Sequence, residues 1–127
     1  MGQSGGTAKK QKTVAVVEPD GAVRSSLEFA LSTEGLRVTV YATGQDLIDA
    51  VDFRPASCVI IEQKLPDTTG IEIVDRLRGR RIFTPVILLA TAPEPALCRR
   101  AEQSGAAVIE KPLIGNALTD KLHELIG

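Results

Sequence analysis

Aromatic residues are nearly missing from this chain: three Phe, one Tyr and no Trp in 127 residues. So few rings argue against a surface that stacks on nucleic-acid bases or on a flavin. Cysteine is limited to Cys58 and Cys98, at no metal-ligand spacing. Without a secretory signal they read as buried thiols and not as a disulfide. The single histidine, His123, stands alone on the terminal helix and reads as a surface residue. No apolar run is long enough to cross a bilayer, and a cytoplasmic protein is expected. The net charge is only −1, too little to direct the domain to nucleic acid or an anionic membrane. Glycine is short where a phosphate loop would need it, since "EPDGAVR" (18–24) offers one. That removes the Gly-rich cradle of a dinucleotide or flavin site.

What remains is ordinary globular material, 43% hydrophobic and 24% charged, in a length that suits one domain with a real core. The opening "MGQSGGTAKKQK" (1–12) is polar, Gly-rich and basic, and is read as a disordered tail before a domain spanning 13–127. From Thr13 onward apolar strands alternate with helical periodicity. "TVAVV" (13–17), "LRVTVY" (36–41), "SCVII" (57–61), "PVILLA" (85–90) and "AAVI" (106–109) read as strands. Helices fall between them. The first, over 21–34, places Val23, Leu27, Ala30 and Leu31 on one face before Gly35. The second opens at "TGQD" (43–46), which resembles a capping box with Asp in the Glu position, and carries Leu47, Ile48 and Val51. A third starts near Thr69 with Ile73, Val74 and Leu77 inward. A fourth runs from Glu94 to Ser104 over Leu97 and Ala101. The last carries Ile114, Ala117, Leu118, Leu122 and Leu125. Parallel crossovers need a helix each, so this alternation predicts a doubly wound α/β domain: a five-stranded parallel sheet with helices on both faces. Strands apolar throughout fit burial on both sides.

Ligands of such sheets sit beyond the carboxyl ends of the strands. The residues there are Glu18, Pro19 and Asp20 after the first strand, Glu62 after the third, Ala90 and Thr91 after the fourth, and Lys111 after the fifth. The stretch "VIIEQKLPDTTG" (59–70) shows the pattern well, a buried strand that ends by delivering a carboxylate. Acids on two strand ends with a lysine on a third suggest a site and not scattered loop charge.

Four segments, "VAVVEPDGAVRSSL", "VIIEQKLPDTTGIEIVDRLR", "TPVILLATA" and "GAAVIEKPL", resemble the receiver domain of two-component response regulators. The resemblance spans roughly 13–126, and the nearest look is to receivers that precede a helix-turn-helix output domain. It implies the flavodoxin-like strand order 2-1-3-4-5 and a signalling module that is not an enzyme. A working receiver holds Mg²⁺ with an acid pair after the first strand and the acceptor Asp after the third. A Thr or Ser after the fourth strand and a Lys before Pro bind the phosphoryl oxygens, and an aromatic residue on the fifth strand relays the change. Here the acid pair falls on Glu18 and Pro19, with Asp20 next door as a partial substitute, and the acceptor falls on Glu62. The hydroxyl position falls on Ala90, with Thr91 one place late and directed the other way. The aromatic position falls on Val108 or Ile109, depending on where one counts from. Lys111 and Pro112 match. The resemblance also implies a cis Lys111–Pro112 bond.

Glu62 then admits three roles. It could accept a phosphoryl group, although the extra methylene puts its carboxylate out of line with metal and lysine. It could mimic the phosphorylated state by pairing with Lys111. Or the site is degenerate, kept polar because it faces solvent, in a domain that works as a fixed binding surface. The last is favoured. The sequence thus predicts a pseudo-receiver in signal transduction, with no cofactor and Mg²⁺ binding weak or absent. Its expected partners are a histidine kinase, an output domain, another regulator, or a second copy through the face around the fourth and fifth helices. No membrane and no direct nucleic-acid contact is expected. "RLRGRR" (76–81) reads as basic residues complementing a helix dipole, and nothing marks Cys98 as a redox sensor.

Overall fold

The computed structural model describes residues 11–127. The tail predicted over 1–12 therefore lies almost wholly outside the described residues. Its last two positions are tied to the body instead: Gln11 donates to the Gly35 carbonyl at 3.0 Å, and the Lys12 carbonyl accepts from Arg37 N–H at 2.9 Å.

Strands and helices alternate as β1 (Thr13–Val17), α1 (Gly21–Ser32), β2 (Arg37–Tyr41), α2 (Gly44–Ala50), β3 (Cys58–Glu62), α3 (Gly70–Gly79), β4 (Val86–Thr91), α4 (Pro95–Gln103), β5 (Ala106–Lys111) and α5 (Ala117–Ile126). All strand pairs are parallel, in the order β2-β1-β3-β4-β5. This is the doubly wound α/β sheet the alternation predicts, in the strand order the receiver resemblance implies. The strands' alternate residues feed two separate cores, one on each face. Ala15, Val17, Val59, Ile61, Val86 and Leu88 pack beneath the face of α2 and α3. Val14, Val16, Ile60, Ile87 and Leu89 pack with Leu27, Leu31, Leu118 and Leu122 from α1 and α5. A strand buried on both faces can afford no polar residue until it ends.

Caps fix where the helices begin. Asp20, Thr43 and Thr69 each accept backbone N–H groups of the first turn of α1, α2 and α3, which satisfies donors that have no partner within the helix. The Thr43 half of the "TGQD" capping box forms, with Oγ1 accepting from Asp46 N–H at 3.1 Å. At α4 a proline stands in the first turn without a side-chain cap, in a place where its missing N–H costs nothing.

Several predicted positions differ. Val23 and Ala30 are exposed, and α1 buries only Leu27 and Leu31, because one helix lying over the sheet needs a narrower stripe than four periodic residues suggest. Ile114 precedes α5 and is 75% exposed; Gly115 at φ 58° breaks the helical path between them. Ala117 is also exposed, leaving Leu118 and Leu122 as the buried residues of α5. Strand β5 runs to Lys111, beyond the predicted Ile109, since its backbone continues to pair with β4 as far as Thr91. Both cysteines are free; burial pushes the Cys58 thiol up to about 12, against a weaker opposing backbone hydrogen bond with Val59.

Candidate functional site

Glu62 is the last residue of β3, and the alternation that turns Ile60 toward α1 and α5 also sets its direction. The same alternation carries Lys111, the last residue of β5, to that face behind Ile109. The two side chains meet, with Lys111 Nζ donating to Glu62 Oε1. The other oxygen, Oε2, accepts from Lys64 N–H at 3.0 Å. Glu62 is only 6% exposed, so the expectation of a solvent-facing carboxylate is corrected. Its strand is central, and the loops on either side close over its end.

Glu18, 4% exposed, is the other buried acid, and its Oε2 accepts from Asp20 N–H at 2.9 Å. Asp20 spends Oδ1 on the N–H groups of Ala22 and Val23, at 2.9 and 3.0 Å, to cap α1. Pro19 sits exposed between them and offers only its carbonyl, 3.4 Å from Arg24 Nη1. The hydrogen bond from Lys111 to Glu62 raises the lysine above its ordinary value; desolvation opposes this, and the charges of Glu62, Glu18 and Asp20 reinforce it. The structure thus gathers Glu18, Asp20, Glu62 and Lys111 into one electrostatic neighbourhood. The Lys111–Pro112 peptide is cis, as the resemblance implies.

The remaining predicted positions separate. Ala90 is buried and continues Val86 and Leu88 toward the face of α2 and α3. Thr91 is exposed, follows Leu89 in the alternation and lies in register with Lys111. The hydroxyl has therefore moved to the opposite side of the strand. Val108 packs with the Ala90 face and Ile109 with the other, both partly buried. A cleft of about 480 Å³ opens beside Glu62, between the Gln63 and Lys64 segment and the Thr91, Glu94 and Leu97 segment.

Other residues that build the site were not singled out in the sequence. Gly70 is one, because a Cβ there would lie 2.5 Å from Leu88 Cδ1 and 2.8 Å from the Glu62 carbonyl oxygen. Only a glycine lets α3 start against the strand that carries Glu62. Gln63 Oε1 accepts from Ile71 N–H at 3.0 Å, and Asp67 accepts from Gly44 and Gln45 N–H at 3.1 and 2.9 Å. These bonds pin the β3–α3 loop to two helices. The motif "PDTTG" carries a signal for a capped turn, but nothing local reveals which helix Asp67 caps.

A receiver's Mg²⁺ needs oxygen ligands in near-octahedral array. Here both oxygens of Glu62 are engaged, Asp20 caps α1 through Oδ1, and Pro19 supplies no carboxylate. Among the described residues no three His, Cys, Asp or Glu side chains gather where they could hold a metal ion.

Residues 14–123 match the family of the response regulator receiver domain. The chain belongs to that family. As a receiver domain it is similar to the transcriptional regulatory protein FixJ of Bradyrhizobium diazoefficiens, 28% identical over 114 residues that cover 89% of this chain and 56% of FixJ. The transcriptional regulatory protein TcrA of Mycobacterium tuberculosis is 33% identical over 114 residues, covering 88% of this chain and 45% of TcrA. The receiver domain spans about half the length of these curated relatives. Among solved structures, the signal receiver domain of a LuxO repressor protein from Vibrio parahaemolyticus superposes with a TM-score of 0.86 at 23% identity. That match covers 92% of this chain and 91% of the other and speaks to the fold. No described helix of the receiver domain is long and apolar enough to cross a membrane.

Proposed function

We propose that this receiver domain acts in two-component signal transduction without phosphoryl transfer, as a cytoplasmic protein–protein interaction module. One observation carries the proposal: Glu62, at the acceptor position, has both carboxylate oxygens bound, one to Lys111 and one to Lys64 N–H. Phosphoryl transfer is mostly positioning and charge stabilisation by a metal. The lysine that would hold the phosphoryl oxygens instead holds the acceptor, Pro19 stands where a second acid of the ion's pair would be, and Ala90 offers no hydrogen bond to an incoming group. On this reading the domain binds Mg²⁺ weakly or not at all and carries no catalytic residue. Its partner is a histidine kinase, an output domain, another regulator or a second copy, met through the face of α4 and α5. Relatives named as transcriptional regulators support an output in transcription, reached through a further domain and not by direct contact of this one with DNA.

The test is mass spectrometry after treatment with acetyl phosphate, with and without millimolar Mg²⁺. No stable adduct is expected on the wild type, and little on Glu62→Asp. Glu62→Asp with Pro19→Asp should recover Mg²⁺ binding and some phosphorylation, because the fold already sets the directions of these side chains. An acyl phosphate on Glu62 or a neighbouring acid of the wild type overturns the proposal.

The Glu62–Lys111 pair also favours a second reading, a constitutive mimic of the phosphorylated state. Glu62→Gln separates the two. A mimic loses partner binding at least tenfold, whereas a fixed surface keeps it.

A further inference from the structure

At the amino end of the sheet, remote from Glu62, a recess of about 240 Å³ opens between α2 and α3. Its floor is apolar: Ala15 and Val59 from the strands, Leu77 from α3, and Ala56 and Ile82 from the loops that enter β3 and β4. Protein interiors are normally packed to crystal density, and a water claims about 30 Å³ of liquid. The recess thus has room for several waters but little to bind them with. Two alanines, Ala15 and Ala56, stand among the larger aliphatics of its lining. Ala15 interrupts an otherwise valine-rich β1 and is 1% exposed, at a position where a larger aliphatic would fill the space without chemical cost.

The mouth is cationic. Asp52 and Arg54 both line it, but the Asp52 carboxylate is held by Arg80 at 2.5 Å. Among the described residues no carboxylate pairs with Arg54. Apolar walls with a single free cation at the opening select an amphipathic anion. A cavity of about 150 Å³ holds benzene, so this one has space for about ten non-hydrogen atoms.

We propose that the recess is a binding site for a small monocarboxylate, its apolar body against the partly exposed Val51, Ala56 and Ile82 and its carboxylate on Arg54. The site is independent of the reading given to Glu62, because it lies at the other end of the sheet and is read by different amides.

The test is a ¹H–¹⁵N correlation titration of the full chain with phenylacetate, with phenethylamine and toluene as the cationic and neutral probes. Phenylacetate should give saturable shifts at the amides of Ala15, Ala56 and Val59, with an affinity at least tenfold above that for phenethylamine. Ala15→Leu should plug the floor and abolish these shifts while the spectrum stays dispersed; Ala56→Leu serves if that variant does not fold. Arg54→Gln should weaken phenylacetate about tenfold and leave toluene unchanged. No saturable shifts, equal affinity for the amine, or binding that survives both plugs overturns the proposal.

Discussion

At the carboxyl end of the sheet a buried carboxylate, Glu62, is met by a lysine, whereas at the amino end a half-buried arginine, Arg78, is met only by carbonyls. Arg78 donates to the Ser104, Ile82 and Thr84 carbonyls at 2.8, 2.9 and 2.9 Å, and to the Gly105 carbonyl at 3.3 Å. Desolvation holds its guanidinium below the ordinary value. The parallel topology explains the division. Every helix that follows a strand points its N-terminus, with its partial positive charge, to the carboxyl end of the sheet, and its C-terminus to the amino end. Acids such as Glu18, Asp20, Glu62 and Asp67 are favoured at one end, a cation at the other. The difference teaches which end can be functional. A carbonyl cage has no second charge to exchange and can only hold loops together. An acid–lysine pair can be remade by one substitution or one ligand.

The largest effect should follow from emptying the cage. Arg78→Met leaves the carbonyls before β4 and β5 without a charged donor, and should lower stability by about 2–4 kcal/mol with Glu62 unaffected. Urea unfolding measures it, and a loss near zero would break the contrast between the ends. Gly70→Ala comes next, at about 1–3 kcal/mol, since the new methyl must push Leu88 or the Glu62 carbonyl aside and overpacking costs this much. Unlike Arg78→Met, it should also shift the amide of Lys64, whose bond to Glu62 depends on the same segment.

Lys111→Met should cost about 1–2 kcal/mol, because it strands Glu62 as a buried charge. A solvent-open pair would be worth only about 0–1 kcal/mol, so this variant sharpens how deep the site is. The smallest effects are those of pH. The Lys111 pKa is raised on folding, so its contribution is full below the ordinary lysine value of about 10.4 and lost as pH rises through the raised value. For Asp67, desolvation is outweighed by hydrogen bonds from Gln45 and Gly44, which hold the carboxyl below its ordinary value. Its contribution is present above about pH 3.9 and lost as pH falls through the lowered value. Thermal melts should therefore show Lys111→Met flattening the alkaline limb and Asp67→Asn the acid limb, each leaving the other unchanged.

The five strands and the helices between them were legible in sequence because apolar runs and periodicity are local signals, whereas their order came with the receiver resemblance and β3, β4 and β5 run one or two residues past their predicted ends. The pairing of Glu62 with Lys111 was legible through the receiver resemblance. Burial of Glu62 was not, since it depends on how flanking loops close over a central strand. Nor were the roles of Gly70, Asp67 and Arg78, each of which touches a partner 8 to 27 residues away in sequence. "RLRGRR" illustrates the limit. Helix-dipole complementarity describes where Arg76 and Arg78 stand on α3, but Arg78 reaches past its own helix to the loops entering β4 and β5.

The two halves of the ion pair also belong to strands of different permanence. Glu62 is on β3, hydrogen-bonded on both sides, and Lys111 is on β5, the edge strand bonded to β4 alone. Local opening is cheapest where fewest backbone bonds must break. The lysine can therefore be released by a fluctuation that leaves the glutamate in place, and amides of Ile109 to Lys111 exchange with solvent before those of Val59 to Ile61. How long the site stays closed is a property of its edge.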